Sequence, residues 1–195
     1  MLSKDKRIQS KSDLKEFLEK ELSYYSKNPI VNFLKFGEGA ILRHHQLLLR
    51  RTEYFVNTGK KIRALLYRIR LSRWQNKYAI HIPINCCGKG LRIMHVGPIL
   101  INLKATLGEN VALHINTSIV AGGNTSFAPA IGNGVVIGVG AVVLGGITLA
   151  DNIAVGANAV VNKDFLEENI AIAGVPAKKI SDNGRTSWAK AAQNK

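Results

Sequence analysis

The sequence of 195 residues predicts a mainly β protein, a parallel β-helix that follows an N-terminal α-helical region. Two observations lead to this fold class. From Ile93 onward, aliphatic or small residues recur at every sixth position, a period that fits neither an α-helix nor a simple antiparallel sheet and is typical of hexapeptide coils. Between residues 11 and 75, apolar residues recur instead at spacings of three and four, which favours helices.

The change of period divides the chain into three parts. Residues 1–78 are predicted to form a basic α-helical region, residues 79–181 the β-helix, and residues 182–195 a polar tail. With 46% apolar residues, a chain of this length is expected to form one globular domain with a small appendage.

The helical region carries recognisable start and stop signals. Ser12 is the expected N-cap of the first helix, because a hydroxyl oxygen can accept a hydrogen bond from an unpaired backbone N–H group of the first turn. Asn28-Pro29 should end that helix, since the residue before a proline is disfavoured in the α conformation. A second helical segment is expected over residues 30–36.

The six-residue period indicates which side chains fill the interior of the coil. In such a coil each aliphatic side chain points inward and stacks on its equivalent one turn away. The period breaks at residues 122–130 (GGNTSFAPA), where we expect a surface loop on the binding face. The apolar stretch 135–150 fits the period and is therefore assigned to the coil rather than to a membrane span. The predicted inward positions are Ile93, Ile99, Ala105, Val111, Ile131, Ile137, Val143, Leu149, Val155 and Val161.

The formal net charge of +14 is concentrated in residues 1–80, which hold 18 Lys and Arg against 7 Asp and Glu. This basic part lies apart from the coil, so we relate its charge to the location of the protein in the cell and predict no nucleic-acid partner. Two interpretations remain open. One is a solvated basic face; the other is a peripheral contact with an anionic membrane leaflet or an acidic polymer, through residues such as Arg50, Arg51, Lys60 and Lys61.

The cysteines and the first residues bear on the compartment. Cys86 and Cys87 are adjacent, so their side chains point apart in an extended segment and are not expected to form a disulfide. They lack further ligands at a suitable spacing, so no metal site is expected. Residues 1–17 contain no apolar run typical of a signal peptide. These features predict a cytoplasmic protein; a membrane contact of the basic region would place it at the inner face of the plasma membrane.

Three features together resemble the left-handed β-helix acyltransferases: the hexapeptide run, the interrupting loop and the closing residues 173–180 (AGVPAKKI). Residues 80–97 (IHIPINCCGKGLRIMHVG) resemble the serine acetyltransferase-like branch, and the resemblance covers residues 75–181. It implies transfer of an acetyl group from acetyl-CoA to a hydroxyl. It also implies a homotrimer, or a dimer of trimers, with active sites in clefts between neighbouring prisms.

Three departures separate this sequence from true serine acetyltransferases. In those enzymes an aspartate precedes the catalytic histidine, whereas Met94 precedes His95 here. Residues 80–83 (IHIP) lack the aspartate found before a first-turn His-Pro pair, and Ala128-Pro129 replaces a second His-Pro pair. The resemblance therefore implies that groups expected to hold the ammonium and carboxylate of serine are lost.

These departures favour the polysaccharide O-acetyltransferases among the relatives. The main prediction is an O-acetyltransferase that moves acetyl from acetyl-CoA to a sugar hydroxyl of a capsular or other surface polysaccharide. The first alternative is a serine O-acetyltransferase of cysteine biosynthesis. The second is a coil without catalytic activity that serves as a binding or assembly module.

Acetyl transfer to an alcohol needs a base, because an alcohol is a poor nucleophile near neutral pH. Histidine suits this role, since its ordinary pKa is about 6.5. His95 follows the inward-facing Ile93 by two positions, so it should project outward near a corner, and it matches the catalytic position of the family. His114 comes close to one coil turn later and should lie near His95, where it would orient His95, bind the acceptor or share the base role.

The other three histidines have different expected places, and two kinds of group could orient His95. His44 and His45 are expected on the surface of the basic helices. His81 is either structural or part of the acceptor cleft. Glu109 is the acid nearest to His95 in sequence, but a backbone carbonyl could orient the imidazole equally well.

The resemblance also implies a groove in which the extended pantetheine of acetyl-CoA lies against backbone amides. Small residues leave room for this approach, and lysines toward the C-terminal end would meet the nucleotide phosphates. Asn124, on the loop, is expected to reach the thioester or the acceptor. The small residues are Gly122, Gly123, Gly140, Ala141 and Ala159, and the lysines are Lys163 and Lys178.

Overall fold

The structure of the chain is a computed structural model that describes residues 1–25, 37–123 and 126–185. Within these ranges the chain is helical up to Tyr78 and forms strands from Ile80 onward. Several predicted features lie outside the described residues: the helix end at Asn28-Pro29, the helical segment 30–36, Asn124, and residues 186–195 of the polar tail.

The helical part begins with a short 3-10 helix, Lys4–Lys6, followed by helices α1 (Lys11–Leu22), α2 (Glu38–Asn57) and α3 (Lys61–Tyr78). Helix α1 is capped by Ser10 rather than by the predicted Ser12. The Ser10 Oγ accepts a hydrogen bond from the Asp13 N–H at 3.1 Å, and the Asp13 carboxylate accepts one from the Ser10 N–H at 3.0 Å. This reciprocal cap needs a side chain that accepts a hydrogen bond three residues after the hydroxyl. Asp13 supplies it for Ser10, whereas Lys15 follows Ser12 at that spacing.

The strands of the coil are short: β1 (Ile80–His81), β2 (Arg92–Ile93), β3 (Ile99–Ile101), β4 (Thr106–Leu107), β5 (Ala112–Leu113), β6 (Thr117–Val120), β7 (Ala130–Ile131), β8 (Val136–Ile137), β9 (Val142–Leu144), β10 (Thr148–Leu149), β11 (Ala154–Val155), β12 (Val160–Val161), β13 (Ala171–Gly174) and β14 (Ala177–Ser181). They are arranged in three sheets. Sheet 1 has the order β1-β3-β6-β9-β12, sheet 2 the order β4-β7-β10, and sheet 3 the order β2-β5-β8-β11-β13-β14. Strands β13 and β14 form an antiparallel hairpin, whereas the other pairs are parallel. Because the chain visits the three sheets in turn, it winds into a prism with three flat sides.

The corners of the prism use residues that tolerate a left-handed backbone. At the corner that joins sheet 3 to sheet 1, Asn116, Gly140 and Asn158 have φ angles of 59°, 71° and 54°. Glycine and asparagine adopt this region more readily than other residues. A Cβ atom at Gly140 would also collide with the side chain of Asn158 one turn away. Both the backbone and the side chain of Asn158 therefore favour glycine at position 140.

The interior of the prism is a continuous aliphatic stack. Every position that the six-residue period predicts to point inward is at most 4% exposed. Parallel pairing, such as that of Val136 with Ala154, sets equivalent residues of successive turns side by side. The interruption lies between β6 and β7, and Ala112 pairs across it with Val136. The predicted β-helix is confirmed, including the place where its period breaks.

A buried ion cluster of Arg50, Glu21 and Glu53 fixes the helices to the first turn of the coil. Arg50 lies on α2 and is fully buried. Its guanidinium contacts Glu21 of α1 at 2.7 Å and Glu53 at 2.9 Å. It also donates to the backbone carbonyls of Cys87 and Gly88 at 3.0 and 2.8 Å. The expectation that Arg50 belongs to the basic surface is therefore wrong.

His45 is completely buried, which contradicts its expected surface position. The next turn of α2 is also buried at Leu48 and Leu49, so this side of the helix faces the interior. His44 packs against Trp74, with ring centroids 4.3 Å apart. Burial lowers the pKa of His45 from 6.5 to about 4.

We expect His45 to make the free energy of unfolding fall by about 3 kcal/mol between pH 7 and pH 4. Its folded-state pKa lies below that of the unfolded chain, so the stability present above pH 6.5 is lost as the pH falls toward 4. Urea unfolding at a series of pH values measures this dependence. His45→Leu, which has a similar volume and no titrating group, should lose that part of the slope. An unchanged slope in the variant would contradict the assignment.

Candidate active site

His95 projects from the corner that follows β2, where the chain turns from sheet 3 to sheet 1. Its side chain is 55% exposed, so the imidazole is open to a ligand. The Nδ1 atom of His95 lies 3.2 Å from Oε2 of Glu38. The other carboxylate oxygen of Glu38 accepts a hydrogen bond from the Val96 N–H. One carboxylate thus holds both the ring and the backbone segment that carries it.

Glu38 comes from the helical part of the chain, as the first residue of α2. A carboxylate in the first turn of a helix is stabilised by the positive end of the helix dipole. Helix α2 is fixed to the coil by the Arg50 cluster and by Gln46, whose Nε2 donates to the Leu91 carbonyl at 2.8 Å. This packing holds the carboxylate of Glu38 beside His95.

The contact with Glu38 determines which nitrogen of His95 can act as a base. An ionised carboxylate only accepts hydrogen bonds, so the hydrogen of the neutral imidazole is assigned to Nδ1. The lone pair then lies on Nε2. An imidazole oriented in this way can take a proton from a hydroxyl through Nε2.

His114 lies near His95 on the next coil turn, as the spacing predicts. Strands β2 and β5 pair so that Ile93 lies beside Leu113, and the ring centroids of the two histidines are 6.2 Å apart. His114 is only 9% exposed. Burial lowers its pKa below the ordinary value, and the charges of His95 and Arg92 lower it further. The ring of His114 is therefore much less accessible to a ligand than the ring of His95.

Sequence reasoning missed Glu38 as the partner of His95. Glu109 lies at a different corner, between sheets 2 and 3, where its N–H donates to Oδ1 of Asn133 at 2.9 Å. Glu38 precedes His95 by 57 residues. No residue spacing in the sequence relates the start of a helix to a corner of the coil. The one sequence signal for Glu38 is that it is an acid directly after Gly37, at the start of a helix.

Three of the predicted cofactor residues serve the coil itself. Ala141 and Ala159 are completely buried. Their N–H groups donate within the coil to the carbonyls of Gly138 and Gly156, and their contact with acetyl-CoA stays a prediction. Gly140 forms the corner described above, and its N–H is likewise bonded within the coil.

The remaining predicted cofactor residues lie on the surface. Gly122 and Gly123 begin the loop between β6 and β7, and Gly123 is exposed. Lys163 follows β12 and is exposed, whereas Lys178 is an exposed residue of β14 at the edge of sheet 3. Within one protomer, the two lysines therefore lie on different sides of the prism, and neither contacts His95 in the described residues.

A shallow recess of about 340 Å³ lies on sheet 1 beside the histidine corner. His81 on β1 is exposed and lines this recess together with Leu100, Asn116 and Ser118. Asn116 follows His114 by two residues, so the recess adjoins the site. This position favours the interpretation of His81 as part of an acceptor cleft.

No group of three or more His, Cys, Asp or Glu side chains that could hold a metal ion occurs in residues 1–25, 37–123 and 126–185. In that described part of the chain, no helix is long and apolar enough to cross a membrane.

The sequence is similar to those of serine acetyltransferases, although no protein-family model matches it. The serine acetyltransferase of Buchnera aphidicola subsp. Acyrthosiphon pisum is 31% identical over 137 residues, 68% of this chain and 48% of that protein. The serine acetyltransferase of Helicobacter pylori strain J99 is 36% identical over 115 residues, 57% of this chain and 65% of that protein. The chain thus covers less than two thirds of these two relatives.

The fold is also that of solved serine acetyltransferases. The structure from Brucella abortus strain S19 in complex with coenzyme A has a TM-score of 0.64 and 25% identity, covering 88% of this chain and 67% of that chain. These matches confirm the left-handed winding of the coil and the resemblance to the serine acetyltransferase-like branch of the left-handed β-helix acyltransferases.

The same matches correct the main prediction of function. The relatives are named for the alternative, serine acetyltransferase, so the prediction of a capsular or surface-polysaccharide acceptor is wrong. That prediction relied on charged side chains missing from the motif around Met94 and His95. The fold brings Glu38 to the site from outside the motif, so the missing residues do not leave it without an acid.

Proposed function

We propose that this chain transfers the acetyl group of acetyl-CoA to the hydroxyl of L-serine, with His95 as the general base. The observation that carries the proposal is the exposed imidazole of His95, which Glu38 orients through Nδ1. The names of the curated relatives support serine as the acceptor. A structural neighbour that holds coenzyme A supports acetyl-CoA as the donor.

In the proposed reaction, Nε2 of His95 takes the proton of the serine hydroxyl while the hydroxyl oxygen attacks the thioester carbonyl carbon. The new C–O bond forms and the carbonyl electrons move to oxygen. The tetrahedral intermediate then expels the CoA thiolate as the C–S bond breaks, and His95 returns the proton to sulfur. Glu38 stabilises the transient imidazolium because its carboxylate faces the Nδ1–H group.

We assign Arg92 to the carboxylate of serine. Arg92 is an exposed residue of β2, and its guanidinium lies 5.3 Å from the ring centroid of Tyr24. Its charge is close enough to lower the pKa of His114, after the larger effect of burial. A guanidinium can bind a carboxylate with two parallel hydrogen bonds. Arg92 would therefore replace a group missing from the motif.

For acetyl-CoA we propose a groove between neighbouring prisms of a homotrimer or a dimer of trimers. Gly122 and Gly123 are the proposed contacts of the pantetheine, and Lys163 and Lys178 those of the phosphates. Asn124 remains the proposed contact of the thioester or acceptor. Since the two lysines lie on different sides of one prism, a neighbouring copy would bring one of them toward the site.

Glu38→Gln is expected to lower kcat by about 10- to 100-fold with little change in the KM for acetyl-CoA. A glutamine oxygen can still accept from the Val96 N–H, but its NH2 group would then face Nδ1 of His95. That contact favours the tautomer with hydrogen on Nε2, which cannot act as the base. Nitrogen NMR of the imidazole would report this change of tautomer, and kinetics would report the loss.

Glu38→Asp is the matched control, because it retains a carboxylate at the same position. It should recover part of the rate and the original tautomer. A Glu38→Gln variant with the original tautomer and a wild-type kcat would show that Glu38 serves only to pack the helix.

The proposed reaction is tested by measuring CoA thiol release from acetyl-CoA and identifying the acetylated product by mass spectrometry. L-Serine should support release and yield O-acetylserine. L-Serinamide, which lacks the carboxylate, should react with a higher KM if Arg92 binds that group. Absence of serine-dependent release would contradict the proposal and favour the binding-module alternative.

We further propose a cytoplasmic location and a peripheral contact of the basic helical region with an anionic surface. The sulfur atoms of Cys86 and Cys87 lie 3.3 Å apart, so the prediction that these side chains point apart is wrong. Both are nevertheless buried free thiols, which suits a reducing compartment. The charge of the helical region suits an anionic partner.

A further inference from the structure

Helix α3 has an apolar stripe on the side that faces away from the protein. The stripe consists of Ile62, Leu65, Leu66 and Ile69, at the spacing that places side chains on one helix face. These side chains are 79%, 61%, 56% and 43% exposed. On the opposite face, Leu71 is buried and forms part of the core. The helix therefore has a second apolar face that nothing in the described residues covers.

Cations flank this stripe, and helix α3 contains no acidic residue. Aromatic rings hold several of the cations in place. The guanidinium of Arg63 lies 5.8 Å from the ring centroid of Phe55, and that of Arg70 lies 5.8 Å from the ring centroid of Tyr67. The exposed cations of the helix are Lys61, Arg63, Arg68, Arg70, Arg73 and Lys77.

A recess of about 220 Å³ beside the stripe has mainly apolar walls and cationic side chains around it. It is lined by Arg70, Arg73, Lys77, His44 and Trp74, together with Leu48. Burial lowers the pKa of His44, and the charges of Arg70 and Arg51 lower it further. Three cationic side chains around one small recess provide the donors that a phosphate group requires.

We propose that the outer face of α3 binds the surface of an anionic phospholipid bilayer. The helix would lie in the plane of the membrane, with the apolar stripe at the boundary of headgroups and acyl chains and a lipid phosphate in the recess. Two-fold pairing with a second copy fits this face less well, because it would set arginines against arginines. A dissolved acidic polymer would use the cations but not the four exposed aliphatic side chains.

Co-sedimentation with vesicles tests the proposal on the full chain, without acetyl-CoA or serine. We expect binding to phosphatidylcholine vesicles that contain phosphatidylglycerol and little binding to phosphatidylcholine alone. The double variant Leu65→Ser, Leu66→Ser should bind these vesicles at least about tenfold more weakly, because the apolar contribution is lost. Arg70→Ser with Arg73→Ser should weaken binding to a similar degree. Leu166→Ser, a control at a leucine 70% exposed on the coil, should leave binding unchanged.

Three results would overturn the proposal. Equal binding to both kinds of vesicle would show that anionic lipid is not recognised. The Leu65→Ser, Leu66→Ser variant could also bind vesicles as well as the wild type and lose this binding entirely at high salt. That result would show a purely electrostatic contact, typical of an acidic polymer. A change of oligomeric state in that variant, seen by sedimentation velocity, would identify the stripe as an interface between copies. Because binding is measured without substrates, its failure is distinguishable from failure of the proposed acetyl transfer.

Discussion

Replacing His95 with alanine is expected to lower kcat/KM for acetyl transfer by about 10²- to 10⁴-fold, the range typical of a lost general base. The imidazole is exposed, and Glu38 holds it in the tautomer that leaves the Nε2 lone pair free. The ring centroid of His114 lies 6.2 Å from that of His95, but His114 is only 9% exposed, so its imidazole is much less accessible to an acceptor than that of His95. The loss should therefore not be recovered by His114.

His44→Ala is the matched control for this prediction, since His44 packs against Trp74 on the helical part of the chain. It should leave kcat/KM within about twofold of the wild type, as expected for a surface substitution away from the site. Circular dichroism and binding of CoA would show that His95→Ala is folded. A folded His95→Ala variant with wild-type turnover would exclude His95 as the base.

Arg50→Met should lower the free energy of unfolding by about 3 to 5 kcal/mol, because removing one partner leaves the carboxylates of Glu21 and Glu53 buried without their cation. Burial already raises the pKa of Glu21, even though Arg50 lowers it. Arg50 also bridges α2 to the carbonyls of Cys87 and Gly88. Its loss should therefore loosen the contact between the helices and the first coil turn.

Urea unfolding at fixed protein concentration measures this loss. Arg51→Met is the control, because the neighbouring Arg51 is exposed, and it should change stability by less than about 0.5 kcal/mol. Arg50→Lys keeps the charge but not the bidentate geometry, so its loss of stability should lie between those of Arg50→Met and Arg51→Met. A loss below about 1 kcal/mol for Arg50→Met would mean that the cluster does not fix the helices.

The coil could be predicted from the sequence because its determinants are local and repeated. The six-residue period identifies the inward side chains from Ile93 to Val161, and all of those predicted are buried. The same spacing places His114 near His95. Because many repeats carry the same period, one wrongly assigned repeat does not change the predicted fold. An individual site has no such repetition, so it is harder to predict.

The features that the sequence did not reveal depend on contacts between distant segments. Glu38 reaches His95 across 57 residues because α2 packs on the first coil turn. The sequence predicts His45 and Arg50 on the surface of a basic helix. In the structure both lie on the buried face of α2, where Arg50 contacts two carboxylates. The acceptor was wrongly predicted for a related reason, since charged groups can reach the site from outside the motif that contains His95.

The most direct test of the proposed mechanism is a rapid-quench single turnover, with the protein in excess over acetyl-CoA and with L-serine present. It isolates the chemical step from product release. The expected result is one O-acetylserine for each acetyl-CoA consumed, at a rate that falls by about a hundredfold or more in His95→Ala. Equal rates in the two proteins, or consumption of acetyl-CoA without O-acetylserine, would contradict the account.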